Sequence, residues 1–296
     1  MAVEHLLRSD PFTIATWNVN SIKVRSNAVI DWLKQGHCDI LLMQELKSMD
    51  ENFPLEAFHD AGFEVHVHGQ KTYNGVAIAS RLPLTLRQKG LPLLDTQTQD
   101  SQAEDSQTQN SQAKDIQARY IEVEHEQFII GCLYLPNGNP VMKDGNLSEK
   151  FSYKLNWMDR LNHHAAALNR LNRPVVLAGD YNIIPEAGDC YDITAWQGDA
   201  LHHPETLKKW RQLNYHGYLE AWRALHPSQI AYSFWDYQGG AWQKDHGIRI
   251  DHFMLNAEAA DRLIAADIDK APRGLERASD HTPVWCQLAH DVPVYD

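Results

Sequence analysis

Pro174-Val-Val-Leu-Ala-Gly-Asp180-Tyr-Asn182-Ile-Ile-Pro185 is a short apolar run that stops at a glycine and then presents a carboxylate and an amide two residues apart. Its length and closing glycine read as a strand buried on both faces. Side chains two apart share one face of a sheet. Asp180 and Asn182 therefore stand together at a sheet edge, where a water and an anionic oxygen can be held. An Asx-turn is the plainer use of the same residues. The construction recurs upstream. Phe12–Val19 reads as a strand whose end carries Asn18 and Asn20. Asp39–Gln44, with Ile-Leu-Leu-Met at its centre, leads directly into Glu45. A glutamate at the mouth of an apolar strand is costly to bury without a cation or a donor. A metal meets that cost, and so does an ion pair with Lys47.

Outward from these stretches, short strands are expected at Phe63–His68, Gly75–Ser80, Arg119–Glu124, Phe128–Leu135, Arg249–Leu255 and Thr282–Leu288. Val24–His37 has helical spacing. Leu147, Phe151, Leu155, Met158, Leu161, Ala165 and Leu168 step by three and four, which is the apolar stripe of a long amphipathic helix. Many short strands with few helices point to two packed sheets with helices outside, not to a doubly wound parallel sheet. From Asp95 the chain reads DTQTQ, DSQAE, DSQTQ, NSQAK, DIQAR. A period of five suits neither helix nor strand, and the units have almost no apolar residues to offset ordering entropy. Residues 95–117 are thus expected to be a flexible, low-complexity insertion within a single domain over 11–290.

The chain has 296 residues, enough for one large α/β domain. Its net charge of −12 argues against holding nucleic acid by bulk charge. Part of that charge sits in the insertion, which carries Asp95, Asp100, Glu104, Asp105 and Asp115 against Lys114. No apolar run reaches the length of a membrane span, and no signal peptide is expected at the start. Cys38, Cys132, Cys190 and Cys286 are scattered and form no C-x-x-C pair, so free thiols in the cytoplasm are expected.

Two further segments carry chemistry. Gly247-Ile-Arg-Ile-Asp251 and Ser279-Asp280-His281 place carboxylates beside an imidazole. An aspartate accepting from the ring fixes its tautomer and favours its charged form, so that it can stabilise a phosphoryl oxygen. Tyr134 ends the Phe128–Leu135 strand and is placed either to contact a phosphate or simply to pack. The other histidines, including His163-His164 and His202-His203, lack zinc-ligand spacing.

Taken in order, TWNVNSIKVR, LMQELKS, YNGVAI, GCLYLPNG, LAGDYNI, YSFWDYQ, HGIRIDHFML and SDHTPVW resemble the exonuclease III family of the endonuclease/exonuclease/phosphatase superfamily, from about Phe12 to Leu288. The resemblance implies a four-layer α/β sandwich, two mixed β-sheets flanked by helices (DNase I-like), with the site at one end of the sheets. It implies a Mg²⁺-dependent DNA phosphodiesterase of DNA repair that leaves a 3′-hydroxyl and a 5′-phosphate. The expected activity is 3′→5′ exonuclease on duplex DNA, abasic-site endonuclease, or both. Glu45 would be the principal Mg²⁺ ligand, assisted by Asp280 and Asn20, with Mn²⁺ able to substitute. Asn18 would help order the site and bind substrate. Asp180 would orient or deprotonate the attacking water. Asn182 and Tyr134 would contact the scissile phosphate, and His281, held by Asp251, would stabilise its developing charge. Phe234 and Trp235 would lie near the sugar. The implied partner is double-stranded DNA with abasic sites or 3′ ends, bound by a monomer.

The sequence departs from the pattern at the pentad insertion and at Asp199-Ala-Leu-His-His-Pro204, where His202 or His203 would crowd a pocket for an abasic sugar and favour exonuclease work. Two other readings compete. One is another phosphodiesterase or phosphatase of the superfamily, such as a sphingomyelinase, an inositol-phosphate phosphatase or a secreted DNase I-like nuclease. It would share Glu45, Asp180, Asn182, Asp280 and His281. The other is a catalytically dead DNA-binding scaffold. FWDYQ and HGIRIDH favour DNA repair, and the complete set of polar positions disfavours the scaffold.

Overall fold

The computed structural model describes residues 11–94 and 115–291. Two mixed six-stranded sheets lie face to face. The first has the order β13 (Leu263–Ile268), β14 (Val284–Leu288), β1 (Phe12–Asn18), β2 (Ile40–Gln44), β4 (Val76–Ser80), β3 (Glu64–His68). The second runs β11 (Leu219–Glu220), β12 (Asp251–Leu255), β10 (Val175–Asp180), β7 (Ile129–Tyr134), β6 (Tyr120–Glu124), β5 (Thr85–Lys89). A separate hairpin pairs β8 (Met142–Lys143) with β9 (Asn146–Leu147). Helices α1 (Ile22–Lys34) and α2 (Leu55–Asp60) cover the first sheet, and α3 (Glu149–Asn169) and α4 (Pro204–Tyr215) the second. Three short helices, α5 (Ala221–Leu225), α6 (Ala241–Lys244) and α7 (Ala257–Ala260), complete the chain.

The period of two along each strand builds the layers. Ile14, Ile40 and Leu42 of the first sheet meet Ile130, Val176 and Ala178 of the second in the central core. The alternate residues Trp17, Leu41 and Met43 pack on α1 and α2, while Leu133, Val175 and Leu177 pack on α3 and α4. The central strands are apolar on both faces because both faces are covered. The four layers expected from the sequence are present.

Gly179 explains why the decisive run stops where it does. Its φ is +152°, and a Cβ there would lie 1.9 Å from the Leu133 carbonyl oxygen. Only glycine lets β10 approach β7 this closely at the point where Asp180 emerges.

Several elements differ from expectation. The long helix begins at Glu149, not Leu147, which is exposed in β9. Its buried face holds Lys154 and Trp157, whereas Leu155 is only half-buried. The sequence reading misses the edge strands β5, which is polar and largely exposed, and β13, whose Leu263–Ala266 run is apolar but mostly half-exposed. The insertion expected at 95–117 lies, over 95–114, outside the described residues. Its last residues are held in place. Asp115 accepts from the Tyr153 hydroxyl at 3.1 Å and from Arg160 at 2.6 Å. Arg160 also donates to the carbonyls of Leu91 and Pro92, so one guanidinium grips both stems. All four cysteines are buried and unpaired. Among the described residues, no helix is long and apolar enough to cross a membrane.

Candidate active site

The strand register brings the polar strand ends together. Asp180 is paired with Tyr134 on one side and with Asp251 on the other. In the facing sheet Asn18 is paired with Gln44, which puts Glu45 next to it. Asn18 then ties the two sheets. Its Nδ2 donates to Glu45 Oε1 at 3.0 Å and to Asp180 Oδ2 at 2.9 Å, and its Oδ1 accepts the Asn20 N–H at 3.0 Å. Asn18 is fully buried and every polar atom of its amide is engaged. It ties the two sheets from inside, in keeping with a role in ordering the site.

Glu45 lies at the first of two polar clusters. Its Oε1 accepts from the Tyr134 hydroxyl at 2.8 Å, and its Oε2 pairs with Lys47 Nζ at 2.9 Å. Lys47 also donates to Asn20 Oδ1 at 2.5 Å, and Asn20 Nδ2 donates to Asp280 Oδ1 at 3.0 Å. Three oxygen-bearing side chains are thus linked in a row, Glu45 through the Lys47 ammonium to Asn20, and Asn20 to Asp280. That ammonium stands in for a cation, and the all-oxygen donor set is the kind that hard divalent ions prefer. Burial pushes the Glu45 carboxyl up, but the Asn18 amide and the Lys47 ammonium outweigh it and hold the group below the usual glutamate range.

The second cluster is Asp180, Asp251 and His281, all buried. His281 Nδ1 donates to Asp251 Oδ2 at 2.8 Å, and its Nε2 lies 3.7 Å from Asp180 Oδ2. Ser233 also donates to Asp251 Oδ2, at 2.6 Å, while Asp251 Oδ1 is buried without a partner. The backbone holds the ring as well, since Trp17 Nε1 donates to the His281 carbonyl at 3.2 Å. Burial opposes a charge on His281, yet the carboxylates of Asp251 and Asp180 raise it to about 10. Burial pushes Asp180 up to about 7, against the pull of His281. The carboxylates thus favour the charged ring, a donor aimed toward Asp180, and the ligand atoms of Asp180, Asp251 and His281 lie close enough together to hold a metal ion.

Asn182 follows in a left-handed turn. Its N–H donates to Asp180 Oδ1 at 2.9 Å, its Nδ2 to the Leu135 carbonyl at 2.9 Å, and its Oδ1 accepts from Asn137 Nδ2 at 3.1 Å. Beneath it the fully buried Lys154 donates to the carbonyls of Asn182 at 2.6 Å and Asn137 at 3.1 Å. Burial lowers that ammonium to about 7. Lys154 and Asn137 escaped the sequence reading because a lysine in a helix and an asparagine after a proline look like surface. Backbone strain marks the site too. Asn20, Ser21, Glu45, Lys47 and Asn182 have φ of 43°, 91°, 52°, 51° and 48°. Non-glycine residues adopt such angles when surrounding structure imposes them.

The expected sugar contacts divide. Phe234 is half-buried, with its ring 4.9 Å from that of His281, and it packs against Ile184, Leu201 and Ile248. Trp235 has no exposed surface. It donates to Asp245 at 2.9 Å and packs edge-on against Trp242 in the interior. His202 Nδ1 donates to the Ile184 carbonyl at 2.8 Å, beside that wall. His203 caps α4 and packs on Phe151, which turns it away.

The endonuclease/exonuclease/phosphatase family matches residues 15–281. The chain is 25% identical to exodeoxyribonuclease III of Haemophilus influenzae over 280 residues, covering 92% of this chain and 98% of the relative. It is similar to the structure of an AP endonuclease from Archaeoglobus fulgidus, with TM-score 0.80, 31% identity, 94% of this chain and 99% of the other. It is also similar to the 3′ phosphatase NExo from Neisseria bound to a product DNA hairpin, with TM-score 0.82, 32% identity and the same coverage of 94% and 99%.

Proposed function

The chain belongs to the endonuclease/exonuclease/phosphatase family, and from that premise we propose that it is a Mg²⁺-dependent phosphodiesterase of DNA repair, of the exonuclease III type. The observation that carries this reading is the pair of adjoining clusters. Oxygen ligands for a cation, Glu45, Asn20 and Asp280, lie one residue, Asn18, away from an aspartate and an imidazolium set for water and phosphate.

Each role follows from position. Asp180, held between Asn18 and the Asn182 N–H, orients the attacking water. Its raised pKa suits it to take a proton near neutral pH. Asn182, whose Nδ2 donates one N–H to the Leu135 carbonyl and whose backbone is steadied by Lys154, contacts the phosphate with its remaining amide N–H. His281, charged and held by Asp251, donates to an oxygen on which negative charge grows. Tyr134 presents its hydroxyl beside Glu45, and its own ionisation is suppressed by burial and by the Glu45 carboxylate, so it acts as a donor. Glu45, Asn20 and Asp280 would hold Mg²⁺, or Mn²⁺ in its place. Such an ion supplies charge stabilisation for the leaving 3′-oxygen.

We read residues 11–290 as one catalytic domain acting as a monomer, since one chain supplies every site residue. The substrate is duplex DNA with abasic sites or 3′ ends. Buried, unpaired cysteines fit a reducing compartment, which we take to be the cytoplasm. Of the two histidines proposed to bias the site toward 3′ ends, His202 retains the role, because it lies beside the Phe234 wall.

Two labelled duplexes test the reading, one with a central abasic site and one intact with a recessed 3′ end. Each is incubated with Mg²⁺ or EDTA, beside the Glu45→Ala variant. A metal- and Glu45-dependent nick or 3′ ladder is expected, and absence of both products sends the substrate elsewhere in the superfamily. A His202→Gly variant should gain abasic nicking relative to its 3′ ladder. Equal ratios in parent and variant remove the crowding idea.

A further inference from the structure

Asn20 and Asp280 come from opposite ends of the chain, and one guanidinium joins the loops that carry them. Arg25, in the first turn of α1, donates from Nη1 to the Asn20 carbonyl and from Nε to the Arg277 carbonyl at 3.0 Å. Its Nη2 donates to the Ala278 carbonyl at 3.2 Å and lies 3.1 Å from the Tyr237 hydroxyl. Tyr237 completes the ring of contacts, donating to the Ala278 carbonyl at 2.8 Å and accepting from Asn20 Nδ2 at 3.4 Å.

The backbones gripped here do not hold their shape by local preference. Asn20, Ser21 and Arg277 have φ of 43°, 91° and 54°, angles that cost energy outside glycine. The acceptors are main-chain carbonyls and a phenol, not carboxylates. Only a planar fork with several N–H groups reaches them together, which a lysine cannot do. Electrostatics alone would disfavour a cation this close to a divalent-ion site, so its presence calls for another contribution.

We propose that Arg25 is a positioning residue for the metal site, locking the β1–α1 turn to the 275–280 loop so that Asn20 and Asp280 face one ion together with Glu45. This rests on the reading of Glu45, Asn20 and Asp280 as metal ligands. Clamp and charge predict opposite signs. Loss of positive charge alone tightens binding of a divalent cation, whereas loss of the clamp weakens it.

The test is calorimetric titration of Mg²⁺ alone into the full chain, without DNA. Parent, Arg25→Met, Arg25→Lys, Lys47→Met and Glu45→Gln are compared. Arg25→Met and Arg25→Lys should each weaken Mg²⁺ binding by roughly 10-fold or more, the range seen when groups that orient ligands are removed. Lys47→Met, which deletes a positive charge competing for Glu45 and Asn20 Oδ1 and leaves the Arg25 contacts in place, should tighten it. Cleavage by Arg25→Lys should recover toward the parent kcat at saturating Mg²⁺, because the defect is in assembling the site. Arg25 variants that bind Mg²⁺ as tightly as the parent, or more tightly, overturn the clamp. If Arg25→Met fails to fold, Tyr237→Phe should show a smaller loss in the same direction, and unchanged affinity there counts against the proposal. Glu45→Gln binding Mg²⁺ like the parent would instead overturn the ligand assignment, whatever Arg25 does.

Discussion

Strand β12 stands between two buried charged clusters. Asp251 faces His281 and Asp180. Its neighbour His252 points the other way and meets Arg249 at 3.1 Å. In that second cluster Arg249 pairs with Asp189 at 2.8 Å and with Glu220 at 2.9 Å, and Arg223 pairs with Asp189 at 2.5 Å. Two carboxylates meet two guanidiniums, and burial of Glu220 is outweighed by Arg249 and His252, which hold it at about 2. In the first cluster and the proposed metal site beside it, Glu45 pairs with Lys47, and Asp180 and Asp251 share His281, while Lys154 and Arg273 act on Asp180 and Asp280 without an ion-pair contact. There Asp180 is pushed up to about 7. Asp180 and Glu220 are both buried carboxylates, yet their pKa values move in opposite directions. A neutralised cluster holds the fold, whereas an under-neutralised one, on the proposed reading, keeps charge in reserve for a metal and a reacting phosphate.

That contrast can be broken at its strongest point by Asp180→Asn. Cleavage should fall on the order of 10³-fold, while the thermal midpoint should hold or rise, because a disfavoured buried charge is removed. A clear drop in the midpoint would mean that Asp180 is as well compensated as Glu220. The reverse pattern is expected of Asp189→Asn. It leaves Arg249 and Arg223 facing a neutral amide and should cost about 3–5 kcal/mol in urea unfolding, with kcat of the folded enzyme nearly unchanged. A smaller and sharper test is acid unfolding. Glu220 is depressed in the folded state from the ordinary 4.5 to about 2. Its stabilisation is therefore complete above about pH 4.5 and is lost as the pH falls toward 2. At ~1.4 kcal/mol per pH unit the interval is worth about 3 kcal/mol. Glu220→Gln should flatten the stability profile in that window. An unchanged slope would assign acid sensitivity elsewhere.

The same contrast explains what the sequence disclosed. Asn18, Glu45, Asp180, Asn182, Asp251 and His281 were legible because each is a polar residue at the end of an apolar strand, and sheet register brings strand ends together. The four layers were legible from runs such as Ile40–Met43, apolar on both faces. Arg25 was not, since its acceptors are main-chain carbonyls that leave no side-chain pattern. Lys154 was hidden for a related reason, its charge being satisfied by carbonyls in a position that reads as solvent-facing. The Asp189–Arg249–Glu220 cluster joins residues far apart in sequence, so no short motif contains it. That Asn18 and Trp235 are fully buried was not legible, because exposure depends on packing that spacing does not encode.

The grip of Arg160 on Leu91, Pro92 and Asp115 has a consequence for inheritance. Where both ends of a tract are pinned to one side chain, the number of repeats between them is free to drift. A gain or loss of whole pentads leaves Leu91, Pro92 and Asp115 in the chain for Arg160 to hold, so β5 and β6 keep the same junction. The same junction is the natural port for splicing a reporter or a second binding module into this chain.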